Sequence, residues 1–291
     1  MSTSFYISSS AEPPPRTLLA AIGFDSVRTV QELRPASRWA DRYWQVYRPG
    51  VSARPVEVTY EDGRFHVRVM TPSAPEDFEL AFRLLEVAAK QLGRPIQADD
   101  SEPFPADELR KRYPPAWVRG QIESGVEALR SIVRDEQQTV TLSGPVRPFF
   151  VGPRLLDELE AHGPPEELSE RLLDLMRQIQ YLDPEAFFPA DALSVHCDSE
   201  NEDPITFAVW GPGVRYLFPD VQYLVLMGEA PGRHVFIPYA VLPELAGDNF
   251  LWLDEVQSLV QAIDEDDWPA LLDRARQYEV HPLAEAAGGE D

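Results

Sequence analysis

A chain of 291 residues, 44% hydrophobic and carrying six tryptophans, can bury a sizeable core, which excludes a disordered chain. One cysteine, Cys197, excludes an internal disulfide and a cysteine-built zinc cluster, and no stretch reaches the ~18–20 apolar residues of a membrane helix. The net charge of −23 is unevenly placed: residues 1–145 carry 20 acids against 18 bases, and residues 146–291 carry 29 against 8. Nucleic acid and anionic membrane both require a basic footprint, so neither is expected as a partner.

In chain order, Phe5 and Ile7 predict a first strand, and Thr17 to Phe24 a short helix closed near Gly23. Val27 to Leu33 reads as a second short helix. Trp39, Tyr43, Trp44 and Tyr47 interleave with Arg38, Arg42 and Arg48, a pattern shared with single-strand nucleic-acid platforms. No RNA-binding signature surrounds them, so core packing is expected, with a strand from Arg42 to Tyr47. Val56, Val58 and Tyr60, the turn Glu61-Asp62-Gly63, then Phe65, Val67 and Val69 predict a β-hairpin. Ser73-Ala-Pro-Glu76 has the capping-box form, and Phe78, Ala81, Phe82, Leu85, Ala88 and Leu92 share one helical face that Gly93 can end.

Residues 105–133 read as helical with a break at Pro114-Pro115. Thr139 to Leu142 and Pro148 to Val151 predict a second hairpin, followed by helices from Pro153 and after Pro165. The last third is rich in short β-prone runs at 193–197, 205–210, 214–218, 221–227 and 234–238, which predict an antiparallel meander. Apolar stripes at Val256, Leu259, Val260 and Ile263, and at Trp268, Leu271, Leu272 and Ala275, predict two closing helices. The fold class expected is α+β: antiparallel sheets from hairpins and a meander, packed by amphipathic helices. The domain division expected is 1–145, near-neutral, and 146–291, acidic, within one compact body or as two parts joined near 135–165.

Motifs for chemistry are sparse. The five histidines, His66, His162, His196, His234 and His281, have no metal-ligand spacing. Asp99-Asp100-Ser-Glu102 departs from a calcium-loop pattern, so no metal and no cofactor is expected. No nucleophile elbow, phosphate loop or dinucleotide fingerprint occurs. His196 and Cys197 are adjacent, and on a strand such neighbours point to opposite faces, so they cannot form a nucleophile–base pair. A small-molecule, hydrolase-like enzyme would need His196, Cys197 or His234 to converge in a cleft.

The run Thr71-Pro-Ser-Ala-Pro-Glu-Asp-Phe-Glu-Leu-Ala-Phe through Ala88, ending Ile96-Gln-Ala-Asp-Asp100, resembles an uncharacterised bacterial family of comparable length. In it a Ser-rich loop, an Asp-aromatic-Glu-x-Ala helix and an acidic loop follow one another. That family has no assigned function, so the resemblance assigns no role to any residue and leans towards a non-enzyme. Met1-Ser-Thr-Ser-Phe-Tyr-Ile lacks the form of a secretion signal, so a cytoplasmic protein is expected. The functional expectation is a non-catalytic binding protein whose acidic half meets a basic protein partner, as an immunity or inhibitor protein does. The charged positions chosen for that surface are Glu200, Glu202, Asp203, Glu229, Asp264, Glu265, Asp266 and Asp267, all in predicted loops.

Overall fold

Alternation of apolar and polar side chains builds the first sheet. The computed structural model describes residues 2–23, 27–99, 101–183, 185–196, 204–228 and 233–282, in two units, Met1–Tyr181 and Leu182–Asp291. In the first unit, β1 (Ser2–Ser8), β2 (Arg28–Thr29), β3 (Trp44–Tyr47), β4 (Val56–Glu61), β5 (Arg64–Met70) and β6 (Gln97–Ala98) pair antiparallel. Their order is β2-β3-β4-β5-β1-β6. One register row runs Phe5, Val67, Val58, Trp44, and all four side chains are buried. The next row, Gln97, Tyr6, His66, Thr59, projects from the opposite face. Asp62 and Gly63 both take positive φ, 50° and 71°, the twist that joins two such strands tightly.

Helix α1 (Pro15–Ala21) packs on α2 (Pro75–Leu92), and α2 lies on β1, β4 and β5. The predicted face of α2 is the buried one, and Gly93 ends it at φ 62°. The cap sits one residue later than expected. Because the helix starts at Pro75, its third residue is Asp77, not Glu76, and Asp77 Oδ2 accepts from the Ala74 N–H at 2.9 Å. Ser73 donates instead to the Met70 carbonyl, and Glu76 pairs with Arg177 at 3.4 Å. Trp39 and Trp44 are fully buried in the core, whereas Tyr43 is exposed and Tyr47 half-buried, so core packing holds for the two tryptophans only. The helix expected over Val27 to Leu33 is absent. Val30 donates to the Gln45 carbonyl and Gln45 to the Gln31 side chain, which hold this stretch extended beside β3.

Asp77 is wholly buried, and its Oδ2 also accepts the Arg54 N–H at 3.1 Å. Burial pushes its carboxyl up to about 7, against the Ser52 hydroxyl and the two backbone donors that lower it. Arg54 is 2% exposed; its guanidinium donates to the carbonyls of Ser143 at 3.1 Å and Thr71 at 3.2 Å. Burial brings it down to about 10, and the Asp77 charge opposes the fall.

The unit is completed by α3 (Leu109–Arg112), α4 (Pro115–Glu136), the hairpin of β7 (Val140–Leu142) and β8 (Phe149–Val151), α5 (Pro153–Ala161) and α6 (Leu168–Gln180). Gln180, 1% exposed, clamps the β7–β8 turn. Its Oε1 accepts from Val146 and Arg147 at 2.9 and 3.0 Å, and its Nε2 donates to the Arg147 carbonyl at 2.9 Å. The unit therefore runs to Tyr181, beyond residue 145 where the charge balance changes.

The second unit contains β9 (Phe188–Pro189), β10 (Leu193–Val195), β11 (Ile205–Trp210), β12 (Tyr216–Phe218), β13 (Tyr223–Leu226), β14 (Val235–Pro238), α7 (Leu242–Ala246), β15 (Phe250–Trp252), β16 (Ser258–Val260) and α8 (Trp268–Ala275). They form two four-stranded sheets, β10-β11-β13-β14 and β15-β16-β12-β9. The α+β class holds, but the strands do not make a simple meander. Strand β12 leaves for the second sheet, so β11 and β13 meet in parallel, as do β9 and β12. The helix expected over Val256 to Ile263 is replaced by β16. Asp254 Oδ1 accepts from Val256 and Gln257 at 3.0 and 2.8 Å, which makes the turn that pairs β16 with β15. Helix α8 forms as predicted.

Candidate functional site

Residues 182–291 carry 22 acids against 4 arginines, so the unit boundary concentrates the charge asymmetry further than the division at 145. Asp264, Glu265, Asp266 and Asp267 are all exposed, between buried Ile263 and Trp268. The Asp264 carbonyl accepts from the N–H groups of Asp267 and Trp268 at 3.1 and 3.0 Å, which closes the turn that starts α8. Pro269 in the first turn of the helix and acids before it suit its dipole. Asp264 and Asp267 also line a cavity of about 420 Å³. Leu245, Ala246, Ile263 and Leu271 also line it but are buried, and most of its accessible surface is polar. Arg274 joins the lining but is committed to the Leu245 carbonyl at 3.1 Å. Carboxylates in a polar cavity match the cationic head of a lysine or arginine side chain.

Glu200, Glu202, Asp203 and Glu229, the other positions predicted for the acidic surface, lie outside the described residues, as do Cys197 and Asp100. His196 follows β10 beside the start of β11, and His234 precedes β14 beside the end of β13. Strands β11 and β13 separate them and run parallel, so the two exposed histidines occupy opposite corners of one sheet. They do not converge.

A second constellation was not legible as a site. On the outer face of the first sheet, the Tyr6 and His66 rings stack 4.6 Å apart at 12°. His66 Nε2 is buried without a hydrogen-bond partner among the described residues. Burial lowers the His66 pKa, Arg68 pushes it the same way, and Asp99 opposes them. Beside it, Glu57 is raised by burial and lowered by Arg68, which it meets at 3.4 Å. Asp99 holds φ 35°, a left-handed backbone that a residue with a Cβ adopts at some cost. Two concavities of about 330 and 400 Å³ flank Tyr6 and Arg64. Nε2 has no solvent-facing surface, so in this arrangement it cannot exchange a proton with a ligand in either concavity. The only sequence signal was the polar half of the hairpin's alternation, which any half-buried strand shows.

His66→Phe is expected to keep the ring stack and remove a buried, unpaired nitrogen. A lowered histidine pKa means that the unfolded chain takes up the proton first, so stability is lost as pH falls below the ordinary value of 6.5. The variant should lose less stability on acidification than wild type does, as read by thermal unfolding across that range. Equal acid loss in both proteins would refute this assignment.

The family described as Domain of unknown function (DUF4299) matches residues 2–191. The chain belongs to this family. The resemblance read from residues 71–100 is thereby borne out. The DUF4299 match takes in the whole first unit, with its polar sheet face, and ends before β10; the acidic turn at 264–267 lies beyond it. No curated protein and no solved structure matches the chain. Among the described residues, no helix is long and apolar enough to cross a membrane.

Proposed function

We propose that the protein is a non-catalytic, cytoplasmic binding protein whose acidic C-terminal unit engages a basic protein partner, as an inhibitor or immunity protein does. The observation that carries this reading is the cavity beside α8, with the exposed carboxylates of Asp264 and Asp267 in its lining. No ion pair to Asp264, Glu265, Asp266 or Asp267 is found among the described residues, so their charge is available to a partner. A basic side chain of the partner enters the cavity, and the surrounding acids steer its approach.

The test is a tagged pull-down from native lysate, washed with rising salt and read by mass spectrometry. It is run beside the D264N/E265Q/D266N/D267N variant, which keeps the side-chain shapes. A basic protein retained by wild type, released by salt and weakened by about tenfold or more in the variant is the expected result. Identical retention by both proteins would overturn the proposal. A thermal melt of the variant separates lost binding from lost folding.

A further inference from the structure

Helices α2 and α4 of the first unit do not close completely at their N-terminal halves. Between them lies a groove of about 560 Å³, within the roughly 300–1,000 Å³ typical of small-molecule sites. Phe78, Phe82, Val118 and Ile122 line it, with Tyr113 at the approach to α4. The Phe78 ring meets Trp117 edge-on at 6.1 Å, and Trp117 meets Tyr113 at 4.7 Å, so Trp117, itself outside the lining, braces two residues that belong to it.

Four charged side chains border the groove, and three are already matched. Arg110 donates to Glu86 at 2.7 Å and to Glu79 at 3.0 Å, and its guanidinium lies 5.3 Å over the Phe82 ring. Arg110 is thereby shared between Glu79 and Glu86, and Arg177 between Glu76 and Asp174. That leaves Arg119, exposed on α4, with no carboxylate partner among the described residues. The groove therefore presents a largely apolar lining with Arg119 at its rim as the one bordering charge that has no ion-pair partner among the described residues.

We propose that this groove binds a small amphipathic anion, with its acid group on Arg119 and its apolar body against Phe78, Phe82 and Val118. A guanidinium and a carboxylate form the strong, charge-assisted pair that orients such a ligand, while apolar contact supplies most of the attraction. A cationic or neutral molecule of the same shape gains only the second contribution. The site is independent of the acidic turn in the other unit.

Sodium decanoate is the probe, with decanol and decylamine as matched controls, titrated calorimetrically below their aggregation concentrations. Decanoate is expected to bind saturably and more tightly than either control. R119A should weaken decanoate by about tenfold and leave decanol unchanged, and R119K should restore part of the loss. Arg119 is exposed, so neither variant threatens the fold. Absence of saturable decanoate binding, or equal binding of decanoate by wild type and R119A, would overturn the proposal.

Discussion

Asp77→Ala is expected to destabilise the first unit by about 3–5 kcal/mol, because it strips partners from three buried groups at once. The Ala74 and Arg54 N–H groups both donate to Asp77 Oδ2, and neither finds water at a site with no solvent exposure. The buried Arg54 guanidinium also loses the carboxylate whose charge favours its protonated form. Asp77→Asn keeps an acceptor oxygen for the two amides and should cost only about 1–2 kcal/mol near neutral pH.

The two variants differ from wild type in pH dependence as well as in size of effect. The folded carboxyl titrates at about 7, whereas the ordinary value is 3.8. Between those values the native state holds a proton that the unfolded chain has released, so wild-type stability falls as pH rises through that window. Below it both states are protonated; above it both are ionised and the penalty is constant. Urea unfolding at a series of pH values should show this slope in wild type and a flatter one in Asp77→Asn. Parallel curves for the two proteins would contradict the burial of an ionisable group at this position.

Gly144→Ala should lose about 2–4 kcal/mol. A Cβ at residue 144 would lie 2.3 Å from the Arg147 carbonyl oxygen and 2.3 Å from Gln180 Nε2. Neither atom is free to yield. Gln180 is buried and makes three hydrogen bonds to the turn, one of them to that same carbonyl. A side chain on residue 144 must break the clamp or displace the turn, and Arg54, bonded to the neighbouring Ser143 carbonyl, would be strained with it. Because both changes damage one clamp, Gly144→Ala and Gln180→Ala combined should cost less than the sum of their separate costs. Thermal unfolding of the four proteins of that cycle measures the coupling; strict additivity, or a Gly144→Ala protein as stable as wild type, would reject it.

The elements legible in the sequence were those whose signals are local and agree with one another. The hairpin of β4 and β5 had period-two strands on either side of Asp62-Gly63, and α2 had a long apolar face closed by Gly93. Residues 256–263 failed for the opposite reason. Their apolar spacing fits a helix, but the Asp254 turn and pairing of β16 between β15 and β12 override it. The shift of the α2 cap from Glu76 to Asp77 turned on a single residue of helix phase, which no spacing argument resolves.

Composition and local periodicity established the α+β class and the acidic second half, and a single cysteine excluded an internal disulfide and a cysteine-built zinc cluster, because these depend on residue counts and short-range spacing. Tertiary structure alone decided which charges are exposed and which are buried. Asp77 and Asp267 are both acids at a helix start, yet one is sealed against Arg54 and the other stands free beside a cavity. The same holds for Arg110 and Arg119, one tied to Glu79 and Glu86 and the other left without a carboxylate partner among the described residues. Burial and pairing are properties of residues far apart in the chain, and desolvation makes them decisive for charged groups.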